Sequence, residues 1–156
     1  MINIGLSAEV RKKVVERLNN LLANEYVLYT KTLKFHWNIK GPFFDALHKL
    51  FNDQYEQLLG FADDIAERSR ALGADTIGSL KEFLEHTTLK EHPGKNPSYE
   101  KMIAELLADH QTIIRQIRVD ADDTQEWHDM GTNNFLLNLL EKHEKTAWML
   151  RAHLEE

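Results

Sequence analysis

Apolar residues recur at spacings of three and four along most of this chain, the period of a helix with one buried face. Residues 6 to 40 hold neither Gly nor Pro after Gly5, and their stripe is Val10, Val14, Leu18, Leu21, Leu22, Leu28, Tyr29 and Leu33. This predicts a long helix from Ser7 to Ile39. Gly41-Pro42 breaks it, since neither residue sustains a helix interior. Phe44, Leu47, Phe51, Tyr55, Leu58, Leu59, Ala62, Ile65, Ala66 and Leu72 then mark a second helix that ends before Gly73. The stretch from Gly73 to Pro97 carries Gly78, Pro93 and Gly94 and reads as a connection, with one short amphipathic piece from Leu80 to Glu85. A third helix follows, with Asn96 as its N-cap, Pro97 at its first position and Met102, Ile103, Leu106, Leu107, Ile113, Ile114 and Ile117 as its stripe. Asn accepts a free N–H of the first turn, and Pro has none to leave unpaired. This helix is expected to fade in the acidic stretch Asp120 to Asp123. A fourth begins at Gly131-Thr132, with Leu136, Leu139, Leu140, His143, Ala147, Leu150 and Leu154 as its stripe. No strand pattern appears.

Four amphipathic helices of roughly 25 to 30 residues, each about 40 Å long, pack as a four-helix bundle. The short first connection makes helices one and two antiparallel neighbours. The connection between two and three, about 23 residues, is long enough to travel the bundle and leave those helices parallel, the one-crossover pattern of ferritin-like folds. The expected fold is therefore all-α, a ferritin-like bundle with a long crossover carrying a short extra helix, over residues 1–156 as one domain. Gly60 inside helix two costs about 1 kcal/mol relative to Ala; it marks either a close helix approach or a tolerated imperfection.

Composition narrows the chemistry. The 156 residues, 42% hydrophobic and 28% charged, suffice for one domain with a sizeable core. The 19 Lys+Arg against 25 Asp+Glu leave a net charge of −6, which opposes tight binding to nucleic acid or an anionic membrane unless basic residues cluster. Zero Cys excludes disulfides, thiolate metal sites, iron–sulfur clusters and a thiol nucleophile, so any metal is held by His, Asp, Glu or similar ligands. The start, Met1 to Leu6, has no basic n-region before an apolar stretch, and no run of about 18 apolar residues occurs. A soluble cytoplasmic protein without membrane partners is the expectation. No Glu is followed three residues later by His, which removes the Glu-x-x-His pair of di-iron sites inside a single bundle. His143-Glu144 is not extended to a zinc-protease motif, and no phosphate loop or dinucleotide fingerprint is present.

What remains is a set of polar residues on otherwise apolar faces. His36 lies about one and a half turns before Gly41-Pro42 and His48 nearly two turns after it, so an antiparallel hairpin brings the imidazoles to similar height. They either share a metal or are ordinary surface or core histidines. Asp63 and Glu67, four apart, lie on one face; they are either ligands or part of a solvated charged face with Asp64 and Glu67 near Arg68. Asp63 lies 15 residues beyond His48, roughly 22 Å along one helix, so one chain does not bring both to one ion. If the four form a site, two chains supply it. An antiparallel twofold pairing of helix two with its copy sets His36 and His48 of one subunit against the partner subunit's Asp63 and Glu67, giving two equivalent sites per dimer. Such a nitrogen and carboxylate set suits Fe(II), and also Zn(II) or Mn(II).

The segment Lys34-Phe35-His36-Trp37-Asn38-Ile39-Lys40-Gly41-Pro42-Phe43-Phe44, then Leu47-His48, Asp63 to Arg68 and Leu72-Gly73, resembles the Dps family of mini-ferritins, the DNA-binding proteins from starved cells. Gly131-Thr132 through Leu139 to Glu144 and on to Trp148-Met149-Leu150-Arg151-Ala152 is similar to that family's fourth helix. The resemblance implies a hollow homo-dodecamer with ferroxidase centres at its twofold interfaces. It implies Fe(II) and hydrogen peroxide as substrates, ferric mineral stored inside, and protection against oxidative stress. His36 and His48 match the family's histidine ligands, and Asp63 and Glu67 the carboxylates supplied by the partner subunit.

There are departures. The family's further carboxylate, four residues after the second histidine, falls on Asn52, a neutral carbonyl donor, which implies a weaker second iron position and a centre of one or two ions. Glu56, one turn beyond Asn52, is a further candidate ligand, with surface charge as its other reading. Trp37 matches the aromatic residue the family keeps near its centre as an electron donor, and packing explains it equally well. For the family's acidic threefold pores, Asp129 and Asp122, Asp123 or Glu126 are candidates, while Asn134 stands where an acidic residue is common. Segment 1–6 carries no Lys-rich tail, the basic cluster Arg11-Lys12-Lys13 lies within the first helix, and the chain ends Leu154-Glu155-Glu156. Tight DNA binding is not expected. The competing expectation is a Dps-like shell whose ferroxidase activity is weakened or lost at Asn52, acting as a structural, Zn-binding or DNA-associated protein.

Overall fold

Ser7 starts the first helix, its Oγ accepting the Val10 backbone N–H at 3.2 Å, and α1 runs Ala8–Asn38. The structure, a computed structural model, describes residues 2–155. Met1 and Glu156, the outermost residues of the two ends read above, lie outside the described residues. After α1 come α2 (Phe44–Ala71), the short α3 (Leu80–His86), α4 (Tyr99–Glu126) and α5 (Met130–Ala152), with no strand among the described residues. The antiparallel pairs α1/α2 and α4/α5 pack against each other mainly through α1 and α4.

The stripes read from the sequence form the core. Leu18, Leu21, Leu28 and Phe35 of α1 meet Phe51, Leu58 and Ile65 of α2, Leu106, Ile113 and Ile117 of α4, and Leu136 and Leu150 of α5, all essentially solvent-free. Each such side chain contributes about 1.5–3 kcal/mol of transfer free energy. The crossover is pinned to α1 by polar contacts. Asn24 Oδ1, buried, accepts the Thr87 hydroxyl at 2.7 Å and the Thr88 N–H at 2.8 Å. Ser79 and Glu82 form a reciprocal capping box at the start of α3, and Phe83 stacks on Tyr26 with centroids 4.4 Å apart.

Three expectations need correction. Helix α4 is capped by Ser98, whose Oγ accepts from Lys101 N at 3.4 Å, and not by Asn96. Pro97 therefore precedes the cap, and it biases Asn96 away from helical backbone. The same helix continues through Asp120–Asp123 to Glu126. Asp120 is buried there, with Gln116 Nε2 donating to both its oxygens at 2.9 and 3.1 Å, and Arg17 pairs with Asp123 at 2.6 Å. Tertiary burial and these side-chain contacts override the low helix propensity of the acidic run. Helix α5 starts one residue early, at Met130, because Asp129 Oδ1 accepts the Thr132 N–H at 3.0 Å. As for Gly60, a Cβ there would meet nothing within 4 Å, so close approach within the chain does not account for it.

One feature of the core is not apparent in the stripes. Glu25 of α1, His143 of α5 and His110 of α4 form a buried polar chain at mid-height. His143 Nε2 lies 2.7 Å from Glu25 Oε1, and its Nδ1 lies 2.9 Å from His110 Nδ1. Burial, and then the neighbouring His143, push His110 well below the ordinary imidazole range, so it is neutral at pH 7.

Two stability predictions follow from these buried groups. Glu25→Ala strands His143 in the core and should cost about 3 kcal/mol in chemical denaturation, most of it recovered in the apolar triple variant Glu25→Leu/His110→Leu/His143→Leu. Burial, offset in part by Gln116 and Arg17, pushes the Asp120 carboxyl up to about 6. The folded state then keeps a proton that the unfolded chain releases near pH 4, so stability falls as pH rises from about 4 to about 6. In Asp120→Asn that fall, up to about 3 kcal/mol, should disappear from a denaturation series across pH.

Candidate metal centre

The turn between α1 and α2 brings the two candidate histidines together. Ile39, buried, closes α1 with its N–H on Phe35 O at 2.9 Å. Gly41 then takes φ +114, a region L side chains rarely enter, and Phe44 N donates to Gly41 O at 3.2 Å as α2 begins. Across this reversal His36 and His48 stack, with centroids 3.9 Å apart and planes 16° from parallel. Each ring bonds the other residue's backbone: His36 Nδ1 lies 2.7 Å from His48 O, and His48 Nδ1 lies 2.9 Å from His36 O. A carbonyl only accepts, so both Nδ1 atoms carry hydrogens and both Nε2 atoms keep their lone pairs in the neutral rings. This is the tautomer that a metal-binding imidazole uses, with its second nitrogen anchored. His36 also sits in the last turn of α1, whose partial negative charge favours a cation.

Around the pair, Phe44 stacks on His48 at 5.1 Å and Tyr55 packs edge-on to His36 at 5.2 Å. His36 is 8% exposed, whereas Trp37 beside it is 68% exposed. Asn52, half-buried and one turn beyond His48, has its Oδ1 engaged by the Tyr55 hydroxyl at 2.9 Å. Asp63 and Glu67 lie farther along α2, both exposed. Arg68 does not pair with Glu67 or Asp64. It reaches instead to α5, donating to Thr132 Oγ1 at 3.0 Å and Asp129 Oδ1 at 3.3 Å. The two carboxylates expected as ligands therefore face solvent with no ion-pair partner among the described residues. Glu56, Leu59, Gly60 and Asp63 line one side of an open groove of about 640 Å³, with Tyr26, Ile77 and Phe83 opposite.

Within one chain, the structure brings together His36 and His48 and leaves Asp63 and Glu67 apart from them. Among the described residues of one chain, no three His, Asp or Glu side chains gather as a metal site. The pore candidates divide. Asp129, 2% exposed, is spent on Thr132 and Arg68, and Asp123 on Arg17, whereas Asp122 and Glu126 are exposed, as is Asn134 of α5. Tyr55 was legible only as part of the α2 stripe. Its bond to Asn52, three residues away, gave no sequence signal beyond helical spacing.

Residues 15–156 match the family model of the ferritin-like domain, Ferritin. A relative from Nostoc sp. described as an uncharacterized low temperature-induced protein is 48% identical over 155 residues, covering 99% of this chain and 87% of its own length. The DNA protection during starvation protein 2 of Bacillus anthracis is 34% identical, covering 94% of this chain and 100% of its own. The solved Dps protein of Vibrio cholerae, described as a member of a broad superfamily of ferritin-like diiron-carboxylate proteins, superposes with a TM-score of 0.94 at 32% identity, covering 99% of this chain and 97% of that one. With the crossover bundle and the anchored histidine pair, these likenesses place the chain in the Dps family of ferritin-like proteins.

Proposed function

We propose that this protein is an iron-storing mini-ferritin that oxidises Fe(II) with hydrogen peroxide at centres shared between two subunits. Membership of the Dps family supports iron storage in general. The observation that carries the finer reading is the reciprocal anchoring of His36 and His48, which leaves two Nε2 donors without hydrogen bonds among the described residues. Two neutral nitrogens supply no charge to offset a ferrous ion. The exposed Asp63 and Glu67 supply it when a second copy of α2 packs antiparallel on the first, because the pairing sets one subunit's histidines against the partner subunit's carboxylates. The groove at Leu59 and Gly60, with half of Leu59 exposed and no atom near the Gly60 Cβ position, suits a copy of the same helix.

Iron is the substrate. Peroxide takes two electrons, and two ferrous ions at one centre supply them, giving two ferric ions and two waters when two protons are taken up. Asn52 in place of a carboxylate lowers the charge available to the second ion. A shell of twelve such subunits then encloses the ferric product, and removing Fe(II) and peroxide together suppresses hydroxyl-radical chemistry.

Anaerobic Fe(II) addition followed by peroxide, read by near-ultraviolet absorbance, tests this reading. Wild type should oxidise iron rapidly, His36→Ala/His48→Ala and Asp63→Asn/Glu67→Gln should each fall to the protein-free rate, and Asn52→Asp should accelerate it. Co-refolding the two inactive double variants should restore about a quarter of wild-type activity, since half of the dimers are mixed and one of their two sites is intact. No restoration would mean that the site lies within one chain, and a wild-type rate equal to the control would sink the ferroxidase reading. Separately, Gly60→Arg should keep native helicity by circular dichroism while sedimenting as a smaller species, because a Cβ there meets nothing within 4 Å in its own subunit and the longer side chain occupies the groove. Unchanged sedimentation would place the subunit interface elsewhere.

A further inference from the structure

Three titratable side chains meet in the bundle core away from the histidine pair at the turn. Glu25 precedes His36 by 11 residues on α1, about 16 Å along the helix. Glu25, His143 and His110 are each 1% exposed or less, and they tie α1 to α5 and α5 to α4. His143 sits between the other two, with Nε2 2.7 Å from Glu25 Oε1 and Nδ1 2.9 Å from His110 Nδ1. Because the two contacts use different nitrogens of one ring, the three groups form a chain and do not converge on a single point. Both ends of the chain are unpaired: Glu25 Oε2 and His110 Nε2 are buried with no hydrogen-bond partner among the described residues. Phe61 of α2 covers the His143 ring at 5.4 Å, and the exposed Lys142 lies over the same Phe61 ring at 5.2 Å. Among the described residues, His143 is the one charge that bears on His110.

A bond between two nitrogens needs one hydrogen and one lone pair, so a single hydrogen lies between the two Nδ1 atoms, carried by either ring. A neutral His110 fits both arrangements. A protonated His110 fits neither. Its Nε2–H, on a charged ring, would be buried without an acceptor, which costs far more than an unpaired neutral nitrogen. Its Nδ1–H would need a bare Nδ1 on His143, which a charged His143 does not offer, and two hydrogens do not fit between nitrogens 2.9 Å apart. We propose that this chain is an acid latch: it holds α5 to α4 and α1 while His110 is neutral, and α4 parts from α5 at mid-height when His110 takes up a proton. Burial, and then His143, hold His110 well below the ordinary imidazole range. The closed core therefore refuses a proton that the opened segment accepts at about pH 6.5 and below. The latch is at full strength above about pH 6.5, and the opening constant grows by up to about tenfold for each pH unit below it. Asp120, whose carboxyl is pushed up to about 6, has the opposite pH dependence, so the stability of the whole subunit masks the latch and a local measurement reveals it. None of the three groups takes part in the proposed iron centre.

Amide hydrogen exchange read by mass spectrometry on the assembled protein, from about pH 5 to about pH 7.5, tests the latch. Wild type and His110→Gln are compared at each pH, so that intrinsic exchange rates and the titration of Asp120 cancel. Gln bonds His143 as donor or acceptor and does not titrate. In peptides spanning His110 on α4 and His143 on α5, the ratio of wild-type to variant exchange should be constant above about pH 6.5 and rise by up to about tenfold per pH unit below it. Peptides at the α1/α2 turn should keep a constant ratio. The apolar variant Glu25→Leu/His110→Leu/His143→Leu gives the same rise as a second reference, and it serves alone if His110→Gln does not assemble. A ratio independent of pH in the α4 and α5 peptides overturns the latch. A rise against the apolar variant with none against His110→Gln puts the proton on Glu25 or His143 and overturns it too. A rise shared equally by the turn peptides means that the subunit unfolds as a whole, and no latch exists.

Discussion

The reversal of the chain at Gly41 is the constraint on which the histidine pair depends. Its φ of +114 is open to glycine and strained for other residues, and it returns α2 along α1 at the register where His36 and His48 exchange ring-to-carbonyl bonds. That exchange satisfies two backbone acceptors and fixes two tautomers at once. One geometric decision in a five-residue turn therefore sets the hairpin register, the orientation of the rings, and which ring nitrogens are left without a hydrogen bond among the described residues. A slip of one residue would rotate His48 by about 100° around α2 and separate the pair.

Away from the turn, the bundle spends stability on polar contacts that apolar residues could replace. Glu25, His143 and His110 occupy core positions on three helices, and Asp120 is buried against Gln116 and Arg17. Buried charged pairs seldom add net stability over apolar packing. They do admit one alignment of the helices, since a one-turn slide of α5 past α1 would strand both Glu25 and His143. Asn24 against Thr87 and Thr88 similarly fixes where the crossover lies.

Charge distribution separates residues paired within the subunit from residues left exposed on its surface. Arg68 is drawn to Asp129 and Thr132 at the start of α5, which removes Asp129 from the surface and frees Glu67 from its adjacent cation. Arg11, the first of the basic cluster in α1, donates to Leu72 O, so part of that cluster also serves the fold. Asp63 and Glu67 remain, on an exposed helix face beside Gly60.

The helices, their order, the one long crossover and the pairing of His36 with His48 were legible in the sequence, because helical period and Gly-Pro breaks are local properties and a short turn relates positions on either side of it. The same spacing argument separated Asp63 from His48, since rise per residue is a property of any helix. Only the tertiary structure decided the contacts between distant residues. The partner of Arg68 lies about sixty positions away on α5 and not one turn away, the His143–Glu25 pair spans 118 residues, and the start of α4 depends on which hydroxyl reaches a free N–H. Asn52 was visible as a departure, but its engagement by Tyr55 was not. Whether a side chain one turn away bonds its helical neighbour or faces solvent depends on the rings packed around it, and those come from α1.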